Sequence, residues 1–161
     1  MNRTFVFLIL ACLTSCLGTW DLSNPVFLDI NDDVPRRGEI AASFDDAILQ
    51  LGGKTDRSAN QRVRAKFDPR CDCPVCGPTT VAYASRGDYS LIFCESPLVD
   101  AALKHELLHA LAHRADHLPC ETGALMTADT KCQRTPGRYS PDDIRYACDS
   151  GYLLGGACSA P

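Results

Sequence analysis

The stretch KHELLHALAHRADH, residues 104–117, holds all four histidines of this 161-residue chain, and its reading decides how the rest folds. Wound as an α-helix, it sets His105 and His109 one above the other on one face, about 40° apart around the axis. Glu106 lies beside them, near 100° on the same scale. Leu103, Leu107 and Leu111 fall on the opposite side, and Ala101, Ala102 and Ala112 flank the imidazoles. The back of such a helix suits a hydrophobic core, while its front presents two nitrogens amid small side chains. Imidazoles at i and i+4 can bind one tetrahedral Zn2+, and the neighbouring carboxylate is placed to polarise a metal-activated water and move its proton. His105 and His109 are therefore the candidate ligands, and Glu106 is the candidate general base.

A catalytic zinc takes a third protein ligand and keeps its fourth position open. If the helix continued, Arg114 would fall near 180°, inside the leucine stripe, so the spacing predicts a break around residues 112–114. Asp116 and His117 then lie on a loop able to fold back toward the metal. His117 is the first choice for third ligand and Asp116 the alternative. His113 is the least suited, because three ligands on one straight helix cannot surround a tetrahedral ion.

Working outward, VFLDI (residues 26–30) has the character of a first strand. Residues 41–51 repeat apolar side chains at helical spacing and stop at Gly52-Gly53. Residues 62–67 and 79–85 alternate as strands do, on either side of a cysteine-rich loop, and YSLIFC (residues 89–94) is a third candidate after the Arg86-Gly87-Asp88 turn. Ser96-Pro97 reads as an N-cap with proline at the first helical position, leading into the histidines. Ser140-Pro141-Asp142-Asp143 repeats that pattern for a last helix to about Cys148, with two acids favoured by the helix dipole. This order predicts a single α+β domain, a twisted sheet packed on a central helix.

Over residues 102–132 the chain resembles the metzincins, zinc peptidases with an extended H-E-x-x-H-x-x-G-x-x-(H/D) motif followed by a methionine-bearing turn. It is most similar to the small secreted snapalysins, in Asp116-His117-Leu118-Pro119-Cys120 and in Leu125-Met126. The resemblance implies that Met126 forms a floor under the metal, and that Cys120 and Cys132 pair around its turn. It also implies a compact metzincin-like fold and a zinc endopeptidase. In such an enzyme Glu106 takes a proton from the attacking water, and substrate lies along an edge strand, with residues 89–94 as the candidate. The chain departs from the pattern twice. Ala112 stands where the family has glycine, and one extra residue places Ala115 at the expected third-ligand position. Asp116 precedes Met126 by the spacing of the Asp-ligated snapalysins, whereas imidazole is the commoner ligand.

Residues 1–15 have the positive start and short apolar run of a signal peptide. Leu13-Thr14-Ser15-Cys16 resembles a bacterial lipobox, which would make Cys16 the lipidated first residue of a mature domain over 16–161. An exported chain meets an oxidising compartment. Cys71, Cys73, Cys76, Cys94, Cys120, Cys132, Cys148 and Cys158 are then candidates for four disulfides, with a thiolate zinc site at Cys71, Cys73 and Cys76 as the alternative. The formal charge of -4 gives no basic field for nucleic acid or for an anionic membrane surface. The expected partner is a peptide or protein substrate, with membrane contact only through the lipid anchor, and oligomeric state is left open. The rival expectation is an inactive cell-envelope lipoprotein whose metal only staples the fold.

Overall fold

The computed structural model describes residues 18–71, 82–85, 88–94 and 100–159. The expectations for the leader, Cys16, Cys73, Cys76 and the Ser96-Pro97 helix start lie outside those residues. The described residues form an α+β structure. Strand β1 is Trp20–Asp21, β2 Val26–Ile30, β3 Gln61–Phe67, β4 Ala82–Ser85, β5 Ser90–Phe93 and β6 Leu153–Leu154. Helices α1, α2 and α3 span Arg37–Gln50, Asp100–Ala112 and Pro141–Cys148.

The main sheet runs β2-β3-β5-β4. β2, β3 and β5 are parallel, and β4 returns antiparallel along β5, pairing Ala84 with Leu91. A parallel neighbour requires a crossover, which α1 supplies between β2 and β3. Period-two alternation turns Val63 and Ala65 of β3 into the core and leaves Arg62 and Arg64 exposed. Residues 89–94, expected as the edge strand, are internal, because β5 is hydrogen-bonded on both sides; among the described residues the edge beside α2 is β4. The four residues of β4, Ala-Tyr-Ala-Ser, are too few for an alternation pattern to show which side lacks a partner.

α1 buries Ile40, Phe44, Ala47 and Ile48. It starts four residues before the apolar periodicity does, after Arg36 in the left-handed region. Its end is a Schellman motif, in which Gly53 N–H donates to Ile48 C=O and Gly52 N–H to Leu49 C=O. Gly52 has φ +75°, and a Cβ there would stand 2.8 Å from the Ala157 nitrogen, so both conformation and space demand glycine. α2 lies against α1, α3, β4 and β5, and its leucines at 103, 107, 108 and 111 are fully buried. α3 begins with a capping box between Ser140 and Asp143.

Three disulfides are present among the described residues. Cys71–Cys94 joins the ends of β3 and β5, Cys120–Cys132 closes the loop around Met126, and Cys148–Cys158 ties α3 to the C-terminal turn. The first removes Cys71 from any thiolate zinc site. Disulfides fit an oxidising environment. No helix among the described residues is long and apolar enough to cross a membrane.

Candidate metal centre

α2 carries His105 and His109 on one side, as the i, i+4 spacing requires, and ends at Ala112. His113 then adopts φ +52°, so it makes the left-handed turn for which the resembling family uses glycine. Histidine tolerates this region better than most residues with a Cβ. The turn sends His113 away from the other histidines, to pack with ring centroids 5.1 Å from Tyr89 and 4.7 Å from Tyr152. Residues 115–117 run exposed along the surface, and His117 folds back over α2.

Three imidazoles meet there. The Nε2 atoms of His105 and His109 are 3.1 Å apart, those of His105 and His117 3.2 Å, and those of His109 and His117 3.3 Å. His105 Nδ1 lies 2.9 Å from the Leu125 carbonyl and His109 Nδ1 2.8 Å from the Arg114 carbonyl. A carbonyl only accepts, so each Nδ1 carries the proton and each Nε2 is left with a bare lone pair. One proton on His117 could satisfy only one of those two. A cation satisfies all three nitrogens at once. A tetrahedral site with metal–nitrogen distances of about 2.0–2.1 Å needs nitrogens about 3.3–3.4 Å apart, and the observed triangle fits within a few tenths of an ångström. Burial, followed by the neighbouring imidazoles, drives the His109 pKa down to about 3. Burial lowers His105 as well. Both residues thus stay neutral, the form that binds metal.

No other described histidine, cysteine or carboxylate joins this group. Asp116, the alternative third ligand, is engaged elsewhere. Arg114 donates to its two carboxylate oxygens, Nε at 3.0 Å and Nη2 at 2.5 Å, and holds its pKa below the usual carboxylate range. The three converging groups suit a divalent metal held by protein on one side only.

Beside the triad, Glu106 is partly buried and accepts a hydrogen bond from the Ala84 N–H of β4. Burial raises its pKa to about 7 against that bond. Met126 is fully buried in the core. Its turn is held by Asp143, a fully buried carboxylate that accepts from Leu125 N–H at 3.0 Å and Met126 N–H at 2.8 Å. The same carboxylate accepts from the Ser140 N–H and hydroxyl. The Leu125 carbonyl that orients His105 also accepts from Gln133 Nε2 at 3.0 Å. Sequence reasoning took Asp143 only as a helix-start acid. Its second task depends on an 18-residue separation that no local pattern displays. Neither models of known protein families nor curated protein sequences give a match to this chain.

Proposed function

We propose that the chain is an exported, zinc-dependent endopeptidase with a metzincin-like site, in which His105, His109 and His117 hold the metal and Glu106 is the general base. The observation that carries the reading is the triangle of bare Nε2 atoms with a carboxylate of raised pKa on the adjacent helical position. Three imidazoles suit zinc among the borderline metals, and the protein side supplies three ligands, as open catalytic zinc sites do. A bound zinc would supply Lewis acidity, polarising the scissile carbonyl and acidifying water.

The remaining work falls to side chains of this chain. Glu106 accepts a proton from the attacking water at its carboxylate and delivers it to the departing amide nitrogen. A pKa near 7 lets the same group serve in both directions at neutral pH. The Ala84 N–H keeps that carboxylate turned toward β4, the sheet edge where an extended peptide can add as a further strand. The lipid anchor at Cys16 belongs to this reading as the means by which the enzyme stays at the cell envelope.

The test is hydrolysis of casein or an unstructured peptide by the purified full chain, abolished by a chelator and restored by stoichiometric zinc. Full zinc occupancy without cleavage would instead give the centre a structural role in an envelope lipoprotein.

A further inference from the structure

His117 is the exposed ligand of the triad, on a segment that no disulfide fastens before Cys120. An exposed loop of this kind would ordinarily sample many conformations, and a ligand on it would bind metal weakly. Here the segment is fastened at every second residue. The Arg114 carbonyl accepts from His109 Nδ1, and the Leu118 N–H donates to the Met126 carbonyl at 2.9 Å. Between them the Asp116 carbonyl accepts from the Tyr146 hydroxyl at 2.7 Å. The Arg114 guanidinium spans the segment: it grips both Asp116 oxygens, donates to the Tyr146 carbonyl at 3.2 Å and lies over the Tyr146 ring, 4.2 Å from its centroid. Tyr146 belongs to α3 and is 3% exposed, so it is a fixed point to which the loop is pinned.

We infer that Arg114 and Tyr146 are positioning residues for the third ligand, a clamp from the C-terminal helix that holds His117 over the two helix histidines and thereby sets metal affinity. The inference rests on the metal-centre reading above. It assigns Asp116 a role too, as the carboxylate on which the guanidinium closes. Residues that orient ligands are worth roughly 10–100-fold in metal affinity, and an arginine that is both bidentate and stacked has no substitute in lysine.

The test is a zinc titration of the purified full chain and of Tyr146→Phe, which keeps the ring but lacks the hydroxyl, and of Arg114→Ala. Each should weaken zinc binding about 10–100-fold while metal-free melting temperature and far-UV dichroism change little. A double-mutant cycle separates positioning from general loosening. In a His117→Ala background, Arg114→Ala should lose its effect on zinc affinity, because the ligand it positions is gone, and Tyr146→Phe should keep only the smaller part owed to its hydroxyl lying 3.4 Å from His109 Nδ1. Wild-type affinity in both single variants, or an equal loss with and without His117, overturns the inference and leaves the endopeptidase reading standing. If the wild-type chain takes up no zinc, that reading falls. The clamp is then decided by imidazole nuclear Overhauser contacts between His117 and His109 in the metal-free protein, which Tyr146→Phe should abolish and which overturn the clamp if they persist.

Discussion

Lys104 and His105 are adjacent on α2, and each sits at the centre of a polar cluster, yet the clusters differ in kind. Lys104 is 2% exposed, and its ammonium meets Asp46 of α1 at 2.5 Å, Asp100 of α2 at 2.8 Å and the Gly137 carbonyl at 2.7 Å. Gln50 joins the same cluster through Asp46 and Gly137, and Tyr139 reaches the Lys104 carbonyl. Every ammonium donor there has an acceptor. One residue on, three ring nitrogens face one another, and at most one proton can be shared among them. A cluster whose donors and acceptors balance is a staple; a cluster of acceptors alone is a place for a cation. The lesson is to count lone pairs rather than charged residues.

The largest expected break in this comparison comes from the carboxylate under the site. Asp143→Ala leaves the Leu125, Met126 and Ser140 amides without their acceptor in a dry interior and should cost about 4 kcal/mol of stability. Denaturant melts of the metal-free protein measure it, and zinc affinity should fall as well because His105 loses its fixed carbonyl. A cost below about 1 kcal/mol would mean that Asp143 does not hold the turn.

Glu106→Gln comes next. It should retain zinc uptake and fold but lose at least 100-fold in peptide turnover, about 2.7 kcal/mol of barrier. Cleavage at the wild-type rate would remove Glu106 from the chemistry.

Lys104→Ala sharpens the contrast from the other side. It should lower stability by about 2 kcal/mol, less than for a fully buried pair because Asp46 and Asp100 are about half exposed. Zinc affinity should stay within about threefold of wild type, since the staple faces away from the metal centre. A larger loss of affinity would show that the two clusters are coupled.

Acid acts on both clusters, and they should respond in different windows. His105 and His109 have folded pKa values below the ordinary 6.5, so unfolding takes up protons, and stability of the metal-free protein should decline as pH falls below 6.5 toward the His109 value of about 3. Asp46 is also depressed, chiefly by its hydrogen bond from Lys104. Its contribution is present above 3.8 and lost as pH falls through the lower folded value, a minor step because the group is largely exposed. Melting temperature against pH, in wild type and in Lys104→Ala, separates the two: the variant should keep the upper window and lose the lower step.

Much of this was legible in one sequence. Helical periodicity placed α2, the leucine back and the histidine front, and the awkward angle of Arg114 placed the helix end within a residue or two. Ser140-Pro141 located α3. Cys120 and Cys132 are paired as the resemblance implied. What stayed hidden is non-local. β4 becomes an edge only through pairing with β5, and Glu106 meets Ala84 only once that edge is laid beside α2. Lys104 sits in the core because Asp46 and Gly137 arrive from elements 58 and 33 residues away, which helix geometry cannot foresee. The choice between Asp116 and His117 likewise turns on Arg114 and Tyr146, since the sequence offers both ligands at similar reach.

The peptide group that joins Leu125 to Met126 is gripped at both ends, by Asp143 on the Met126 N–H and by His105 on the Leu125 carbonyl. A negative charge at the nitrogen end of an amide pushes electron density toward its oxygen, and a more negative oxygen pulls harder on the imidazole proton it accepts. The charge of Asp143 accordingly makes the neutral ring of His105 more electron-rich from across the turn, against the burial that lowers its pKa. A carboxylate that never touches the imidazole thus makes it a stronger electron donor, with a single amide bond as the conductor.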